Sequence, residues 1–254
     1  MSKAWIDAES WPALGNNEVQ VWLAHLPSLR ASLDELTVVL SPDEVARAAR
    51  FRFPAHQERA RMTRGLLRLL LGRHLPTDAR KIVFTHNEHG KPALASPPGI
   101  HFNLSHSGDY AAFALTRLDV VGVDVERIRE AMPQRDEIAR RYFAASEQAE
   151  LQAVGERDRS RAFFTLWTRK EAWLKATGEG IAESLAKIEV AFLPGEPPCI
   201  RAIAGDVAAG ALWNLRALHP ATGFVAALAI QPAAPGRMHG GSDALRVCCW
   251  RAVI

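Results

Sequence analysis

Two carboxylates in a short, otherwise apolar segment could bind a metal ion. The segment VVGVDVE, residues 120–126, alternates as a β-strand does, which places Asp124 and Glu126 on one face, roughly 7 Å apart. Mg²⁺ accepts carboxylate oxygens together with waters and a substrate phosphate. The same pattern is typical of a strand edge whose polar residues face water, so the spacing alone leaves both interpretations open.

A second set lies in the segment 158–178, where the spacing of apolar residues predicts a long helix. Trp167, Glu171 and Lys175 follow one another at intervals of four residues and form one stripe along it. Glu171 and Lys175 also match an ordinary surface salt bridge. The tryptophan one turn earlier, and Lys170 beside the acid on a largely apolar helix, favour a chemical role.

Hydroxyl, imidazole and amine groups cluster upstream of both sets. The segment FNLSHSGDY places Ser105, His106 and Ser107 where the predicted strand 100–106 ends and the turn to the next strand begins, a position where hydroxyls and exposed amides can bind phosphate. His106 equally fits a histidine that simply completes a turn. In the segment EHGKP, Lys91 lies between a glycine and a proline, a turn that could hold an adenine or phosphate group but also occurs without any function.

The charge is small in total and uneven in distribution. The 254 residues carry a net charge of +3, yet the stretch from Arg47 to Arg80 holds nine arginines and two acidic residues. Such a concentration indicates an anionic ligand or an acidic partner, and it argues against bulk nucleic-acid binding. Arg61, Arg64 and Arg68 fall at helical spacing opposite a leucine face, which predicts a solvated arginine stripe.

Composition narrows the class of protein further. The chain is 48% hydrophobic and 23% charged, which excludes disordered, collagen-like and coiled-coil proteins. The three cysteines are odd in number and two of them, Cys248 and Cys249, are adjacent, which fits a protein of the reduced cytosol better than one with disulfides. The first residues lack the apolar run of a signal peptide. No stretch approaches the ~20 apolar residues of a membrane span. We expect a soluble cytoplasmic protein without P-loop, GxGxxG, zinc-spaced or GxSxG motifs.

The order of predicted elements repeats along the chain. A strand, then helices, then three strands are predicted twice, which indicates an α+β fold of two similar halves with a ligand site at their interface. The predicted strands lie at 18–26, 81–86, 100–106, 110–117, 120–126, 187–193, 211–219 and 222–230. We expect an N-terminal half over 1–117, a C-terminal half over 118–230, and a linker with a final strand over 231–254. The first 17 residues are predicted to be peripheral.

Taken together, FNLSHSGDY, GVDVE and WTRKEAWLKATGEG resemble the 4'-phosphopantetheinyl transferase superfamily, in its longer two-halved Sfp-type members. The motifs occur in family order and spacing, with GKP and ARAARFRF before them, so the resemblance covers about residues 40–230. It implies a pseudodimer of two α+β halves with coenzyme A in the cleft between them.

The resemblance also implies roles for individual residues. Asp124, Glu126 and Glu171 resemble the family's Mg²⁺ ligands, and Glu171 also resembles its general base. Lys175 resembles the lysine that contacts the coenzyme A phosphates. The nucleotide side would be formed by Ser105 and His106 at the phosphates, Lys91 and Pro92 at the adenine, Arg47 at the ribose 3'-phosphate, and His86, where some relatives carry a basic residue.

The reaction implied is attack by a serine hydroxyl of an acyl or peptidyl carrier protein on the β-phosphate of coenzyme A, releasing adenosine 3',5'-bisphosphate. Carrier domains of fatty acid, polyketide or nonribosomal peptide synthases, in secondary metabolite biosynthesis, are the expected partners. Lys170, Lys187 and the segment 179–190 are candidates for the docking surface of an acidic carrier. A monomer is expected, because both halves lie in one chain.

Two other functions fit the same residues. A Mg²⁺-dependent phosphohydrolase of coenzyme A-like nucleotides could use the same metal site with water as the nucleophile. A non-catalytic module could bind a carrier protein or coenzyme A without transfer. The presence of both Glu171 and Lys175 argues against the non-catalytic module.

Overall fold

The computed structural model describes residues 5–7, 11–95, 99–118, 120–179, 185–231 and 245–252. Its strands are β1 Ile6–Asp7, β2 Glu18–His25, β3 Phe84–His86, β4 Pro92–Leu94, β5 His101–Ser107, β6 Tyr110–Thr116, β7 Val120–Arg127, β8 Ile188–Val190, β9 Ile200–Ile203, β10 Asn214–Leu218, β11 Phe224–Gln231 and β12 Arg246–Arg251. Its helices are α1 Leu33–Val38, α2 Pro42–Ala49, α3 Pro54–Gly72, α4 Arg135–Tyr142, α5 Ala145–Ala153, α6 Glu156–Thr177 and α7 Val207–Ala211.

The predicted repeat is confirmed by the sheet topology. In the first half β2 pairs antiparallel with β6, and β6 pairs antiparallel with β5. In the second half β7, β11 and β10 repeat this arrangement. Each half carries helices after its first strand and then a short hairpin, β3–β4 or β8–β9, so that four strands follow these helices where three were predicted. The second half adds the short helix α7 between β9 and β10. The fold is therefore α+β with two similar halves.

Several predicted elements differ in extent. The predicted strand 81–86 is reduced to β3, because a 3-10 turn at Ala79–Lys81 precedes it and the Asp78 side chain accepts a hydrogen bond from the amide of Arg80. The prediction for 187–193 is likewise reduced to β8, whose partner β9 the sequence reading missed. Residues 232–244, which hold most of the predicted linker 231–243, lie outside the described residues.

Apolar cores hold the sheets and helices together. Residues of β2, β6, β7, β11 and β12 form one core between the two sheets. Helix α3 packs on the sheet of the first half and α6 on the sheet of the second. The predicted leucine face of α3 is fully buried: Leu66, Leu67, Leu70 and Leu71. No helix in the described part of the chain is long and apolar enough to cross a membrane.

Both chain ends contribute to the first half. Strand β12 lies parallel between β1 and β2, in the order β1-β12-β2-β6-β5. Leu14 is buried and Trp11 stacks on Trp22, with ring centroids 5.2 Å apart. The prediction that the first 17 residues are peripheral is therefore wrong for this part of the segment, because its apolar side chains complete a core.

Polar side chains join the edge strands of the two sheets. Asn103, Ser105 and Ser107 of β5 accept hydrogen bonds through their side-chain oxygens from backbone amides of β7. The donors are, in the same order, Val123 at 2.9 Å, Val125 at 3.4 Å and Arg127 at 3.1 Å. Alternation along β5 gives all three acceptors the same side. The segment FNLSHS thus forms a joint between the halves.

We expect Gly122→Ala to lower the free energy of unfolding by about 1–3 kcal/mol or more, because an added methyl group overpacks a tight contact. A Cβ at Gly122 would lie 2.0 Å from the Ala172 carbonyl oxygen and 2.4 Å from the Ala176 amide nitrogen of α6. Urea unfolding measures the change. Gly155→Ala is the matched control, since a Cβ there meets nothing within 4 Å; equal stability of the two variants would contradict the prediction.

Candidate active site

Strand β7 and helix α6 bring the predicted carboxylates together. Asp124 and Glu126 pair across the sheet with Ala227 and Val225, which belong to the core beneath α6. Both carboxylates therefore lie on the helix side of the sheet, as the alternation predicts. Glu171 extends from α6, and the charges of both strand acids act on it. Asp124 is 3% exposed and Glu171 is 6% exposed.

Lys175 completes a network with one of these acids. Its Nζ donates to Asp124 Oδ1 at 2.6 Å and to Ser105 Oγ at 2.9 Å. Ser105 Oγ in turn donates to Asp124 Oδ1 at 2.7 Å. Lys175 thus forms its ion pair with Asp124 of β7. The surface salt-bridge interpretation requires an ion pair between Lys175 and Glu171, and none is present among the described residues.

Two carboxylate oxygens at this site, Asp124 Oδ2 and Glu171 Oε1, are buried and have no hydrogen-bond partner among the residues that the structure describes. Burial and, after it, the negative charge of Asp124 raise the pKa of the Glu171 carboxyl to about 7, although Lys175 opposes the shift. Buried anionic oxygens are costly unless a donor or a cation compensates them. The two oxygens therefore fit a divalent cation.

Glu126 has a partner of its own. Ser107 Oγ donates to Glu126 Oε2 at 2.6 Å, and Arg129 Nη2 lies 4.0 Å from the same oxygen. Burial raises the pKa of Glu126, while the Ser107 bond opposes the shift. Within the described ranges, no three histidine, cysteine or acidic side chains gather as a ready metal cluster. Mg²⁺ tolerates one or two protein carboxylates because it keeps waters and takes phosphate oxygens, so the donor set fits this ion.

The predicted nucleotide-side residues are spread over the first half. Arg47 is exposed on α2, His86 is exposed on β3 opposite Pro92, and His106 is exposed on β5. His106 points away from Ser105, because neighbours on a strand alternate. Although part of the side chain is exposed, surrounding protein atoms partly desolvate the ring, and this desolvation, followed by the positive charges of Arg59 and Lys175, lowers the pKa of His106. The sequence did not single out Arg59 as a neighbour of His106, because it is one of nine arginines between Arg47 and Arg80.

Lys91 is already engaged. Its Nζ donates to the carbonyl oxygen of Ala176, near the end of α6, at 2.6 Å. Burial lowers the pKa of its ammonium to about 8. The hairpin turn that carries Lys91 and Pro92 is therefore joined to the helix that carries Glu171 and Lys175.

Comparisons with known proteins agree with the motifs. A family model described as "4'-phosphopantetheinyl transferase superfamily" matches residues 120–229. A second model, described as "4'-phosphopantetheinyl transferase, N-terminal", matches residues 26–117. The chain is 35% identical over 233 residues to 4'-phosphopantetheinyl transferase HetI of Nostoc sp., covering 91% of this chain and 94% of that protein. The chain belongs to the 4'-phosphopantetheinyl transferase superfamily. This confirms the family prediction and, with it, the prediction of an enzyme of the phosphopantetheinyl transferase class.

Other relatives of this transferase are less complete matches. It is 30% identical over 151 residues to 4'-phosphopantetheinyl transferase Sfp of Bacillus subtilis, covering 59% of this chain and 66% of that protein. Among solved structures, holo-[acyl-carrier-protein] synthase of Thermotoga maritima matches at 22% identity with a TM-score of 0.31, over 44% of this chain and 62% of that one.

The predicted arginine stripe of the transferase is partly wrong. Arg64 Nε and Arg68 Nε lie 2.5 Å and 2.6 Å from the two carboxylate oxygens of Glu44. Arg68 is 2% exposed and also donates to the carbonyl of Ala79. Glu44 also forms the capping box of α2 with Ser41. Glu44 of α2 thus forms ion pairs with two arginines of α3, and these pairs tie the two helices together.

The prediction that Lys170 helps to dock a carrier protein is wrong. It is fully buried, and its Nζ donates to Glu147 Oε2 at 2.5 Å and to the carbonyls of Leu185 and Ile188. A buried lysine presents no charge to a partner. Lys187 is exposed and remains a candidate, whereas residues 180–184 of the predicted docking segment lie outside the described residues.

Proposed function

We propose that this chain transfers the 4'-phosphopantetheine group of coenzyme A to a serine of an acyl or peptidyl carrier protein, with Mg²⁺, releasing adenosine 3',5'-bisphosphate. One observation carries the proposal: in the site where Lys175 contacts Asp124, one buried oxygen each of Asp124 and Glu171 has no hydrogen-bond partner within the described part of the chain. Such a site attracts a cation, and cation and ammonium together suit a pyrophosphate substrate. Family membership supports the assignment.

Each side chain has a distinct task in the proposed reaction. The Glu171 carboxylate accepts the proton of the attacking serine hydroxyl, which is the role of a general base. The serine oxygen bonds to the β-phosphorus while the bond to the bridging oxygen breaks, and the bisphosphate leaves with that electron pair. The Lys175 ammonium lies beside the transferring phosphoryl oxygens. Mg²⁺ held by Asp124 and Glu171, with Glu126 as the further predicted ligand, would polarise the pyrophosphate.

The nucleotide end of coenzyme A would bind the first half, in the cleft between the halves. Exposed Arg47, His86 and His106 are free to approach its phosphates. Ser105 holds the Lys175 ammonium in place by accepting a hydrogen bond from its Nζ. The Lys91 ammonium is occupied at α6, so this turn would contribute its backbone and Pro92 to the adenine.

The biological setting completes the proposal. The partners are acidic carrier domains of fatty acid, polyketide or nonribosomal peptide synthases, as in secondary metabolite biosynthesis. Exposed Lys187 is one point of approach for them. The chain acts as a monomer, since it carries both halves, and in the cytoplasm, where its free cysteines stay reduced.

A direct assay tests the function. We expect the protein, coenzyme A and Mg²⁺ to add phosphopantetheine to at least one member of a panel of apo carrier proteins, as seen by intact mass spectrometry. Chelation by EDTA abolishes the adduct, because the two bare carboxylate oxygens then lack their cation. Asp124→Asn lowers the rate, whereas Asp34→Asn, at an exposed position of α1, is the control that keeps it.

Two outcomes would overturn the proposal. Release of the bisphosphate without any adduct would indicate the phosphohydrolase. Tight coenzyme A or carrier binding with neither adduct nor release, across the whole panel, would indicate the non-catalytic module.

A further inference from the structure

The hairpin turn between β3 and β4 holds the last turn of α6, although the two belong to different halves. Asn87 Nδ2 donates to the Gly178 carbonyl at 3.1 Å, and Lys91 Nζ donates to the Ala176 carbonyl at 2.6 Å. The last carbonyls of a helix have no partner within the helix, so these donors satisfy acceptors that are otherwise left to water. We call the contacts of Asn87 and Lys91 with α6 the clasp.

Asn87 is fixed in orientation by its own turn. Its Oδ1 accepts from the amides of His89 at 3.1 Å and Lys91 at 2.8 Å. Its backbone amide donates to the Lys91 carbonyl, and its carbonyl accepts from the Gly90 amide. With Oδ1 committed to the turn, Nδ2 is directed at α6. The side chain therefore works as a rigid connector.

The helix end is shaped to receive this amide. Gly178 has φ +77, in the left-handed region that ends many helices. A Cβ at Gly178 would lie 2.8 Å from Asn87 Nδ2. The absence of a side chain at Gly178 therefore serves both the helix cap and the close approach of Asn87.

Lys175 extends from the part of α6 that the clasp holds. Its backbone lies directly before Ala176, and its Nζ contacts Asp124 and Ser105. Glu171 lies one turn earlier on the same helix. A shift of the helix end would move the ammonium relative to the carboxylates, and small misplacements of a catalytic group cost large factors in rate.

We propose that Asn87 is a positioning residue for the transfer reaction: by bonding the Gly178 carbonyl, it fixes the last turn of α6 and thereby the place of the Lys175 ammonium. This inference rests on the proposed function. It also links the half assigned to the nucleotide with the helix assigned to the chemistry.

Asn87→Asp tests the inference. Aspartate keeps the acceptor for the turn amides but replaces the Nδ2 donor with an oxygen that faces the Gly178 carbonyl. We expect kcat to fall about tenfold with KM for coenzyme A and carrier unchanged within about twofold, because positioning affects the transition state. Glu88→Gln is the matched control, since Glu88 is in the same turn, is 85% exposed and makes no contact of the clasp.

Hydrogen exchange of the same chain without substrates gives a second readout. We expect the Gly178 amide, which donates to the Leu174 carbonyl, to exchange about tenfold faster in Asn87→Asp and at the original rate in Glu88→Gln. Unchanged kcat, or a lower melting temperature with kcat per folded molecule preserved, would overturn the positioning role. If the original protein forms no adduct while exchange accelerates as expected, the proposed function fails and the clasp stands.

Discussion

Replacing Glu171 with glutamine is expected to lower the rate of phosphopantetheine transfer by about 10²–10⁴-fold, the usual contribution of a general base. Glutamine has nearly the same shape but accepts no proton, and it gives a cation a neutral amide oxygen. Binding of coenzyme A is expected to survive within about threefold, because the phosphate contacts assigned to the first half are untouched. Single-turnover mass spectrometry measures transfer, and calorimetry with coenzyme A measures binding.

Glu137→Gln is the matched control, because Glu137 is an exposed acid on α4. It should transfer at the original rate. Transfer by Glu171→Gln at that same rate would remove Glu171 as the base. Equal loss of binding and transfer would instead assign Glu171 to substrate binding.

Local periodicity was sufficient to predict the shared face of the carboxylates. Asp124 and Glu126 lie two residues apart on a strand, and the register with Ala227 and Val225 places both on the helix side. The partner of Lys175 could not be predicted in this way. A spacing of four residues suggests Glu171, whereas the contact formed is with Asp124, 51 residues away, because α6 packs closely against β7.

The same distinction between local and distant contacts applies to the fold. Apolar spacing predicted the long helix α6 and the leucine face of α3, since helices are set by neighbours in sequence. The place of β12 between β1 and β2 was not predictable, because a parallel pair joins segments that are far apart in the chain. The arginines of α3 show the same limit of local patterns: their spacing suggested a solvated stripe, yet Arg64 and Arg68 both form ion pairs with Glu44 of α2.

The buried pair of Lys170 and Glu147 predicts a large effect on stability. Both side chains are 0% exposed, and desolvation lowers the pKa of Lys170 and raises that of Glu147 despite their mutual attraction. Breaking such a pair by removing one partner typically costs about 3–5 kcal/mol, because a buried charge is left without compensation. We expect Lys170→Met to lower the free energy of urea unfolding by about this amount, while Lys187→Met, at an exposed position, leaves it unchanged.

The pH dependence of this loss tests the cause. Without Lys170, the pKa of Glu147 in the folded protein rises further above its unfolded value. Folding then favours the protonated acid, so the variant loses stability as pH rises, and the loss is smaller near about pH 5 than near about pH 8. Adding Glu147→Gln to Lys170→Met removes the buried charge and should restore much of the stability at about pH 8. The recovery is incomplete, because the backbone amides of Ala144 and Val190 both donate to the Glu147 carboxylate and glutamine offers an acceptor to only one of them. A loss below about 1 kcal/mol, independent of pH, would mean that the pair adds little beyond packing.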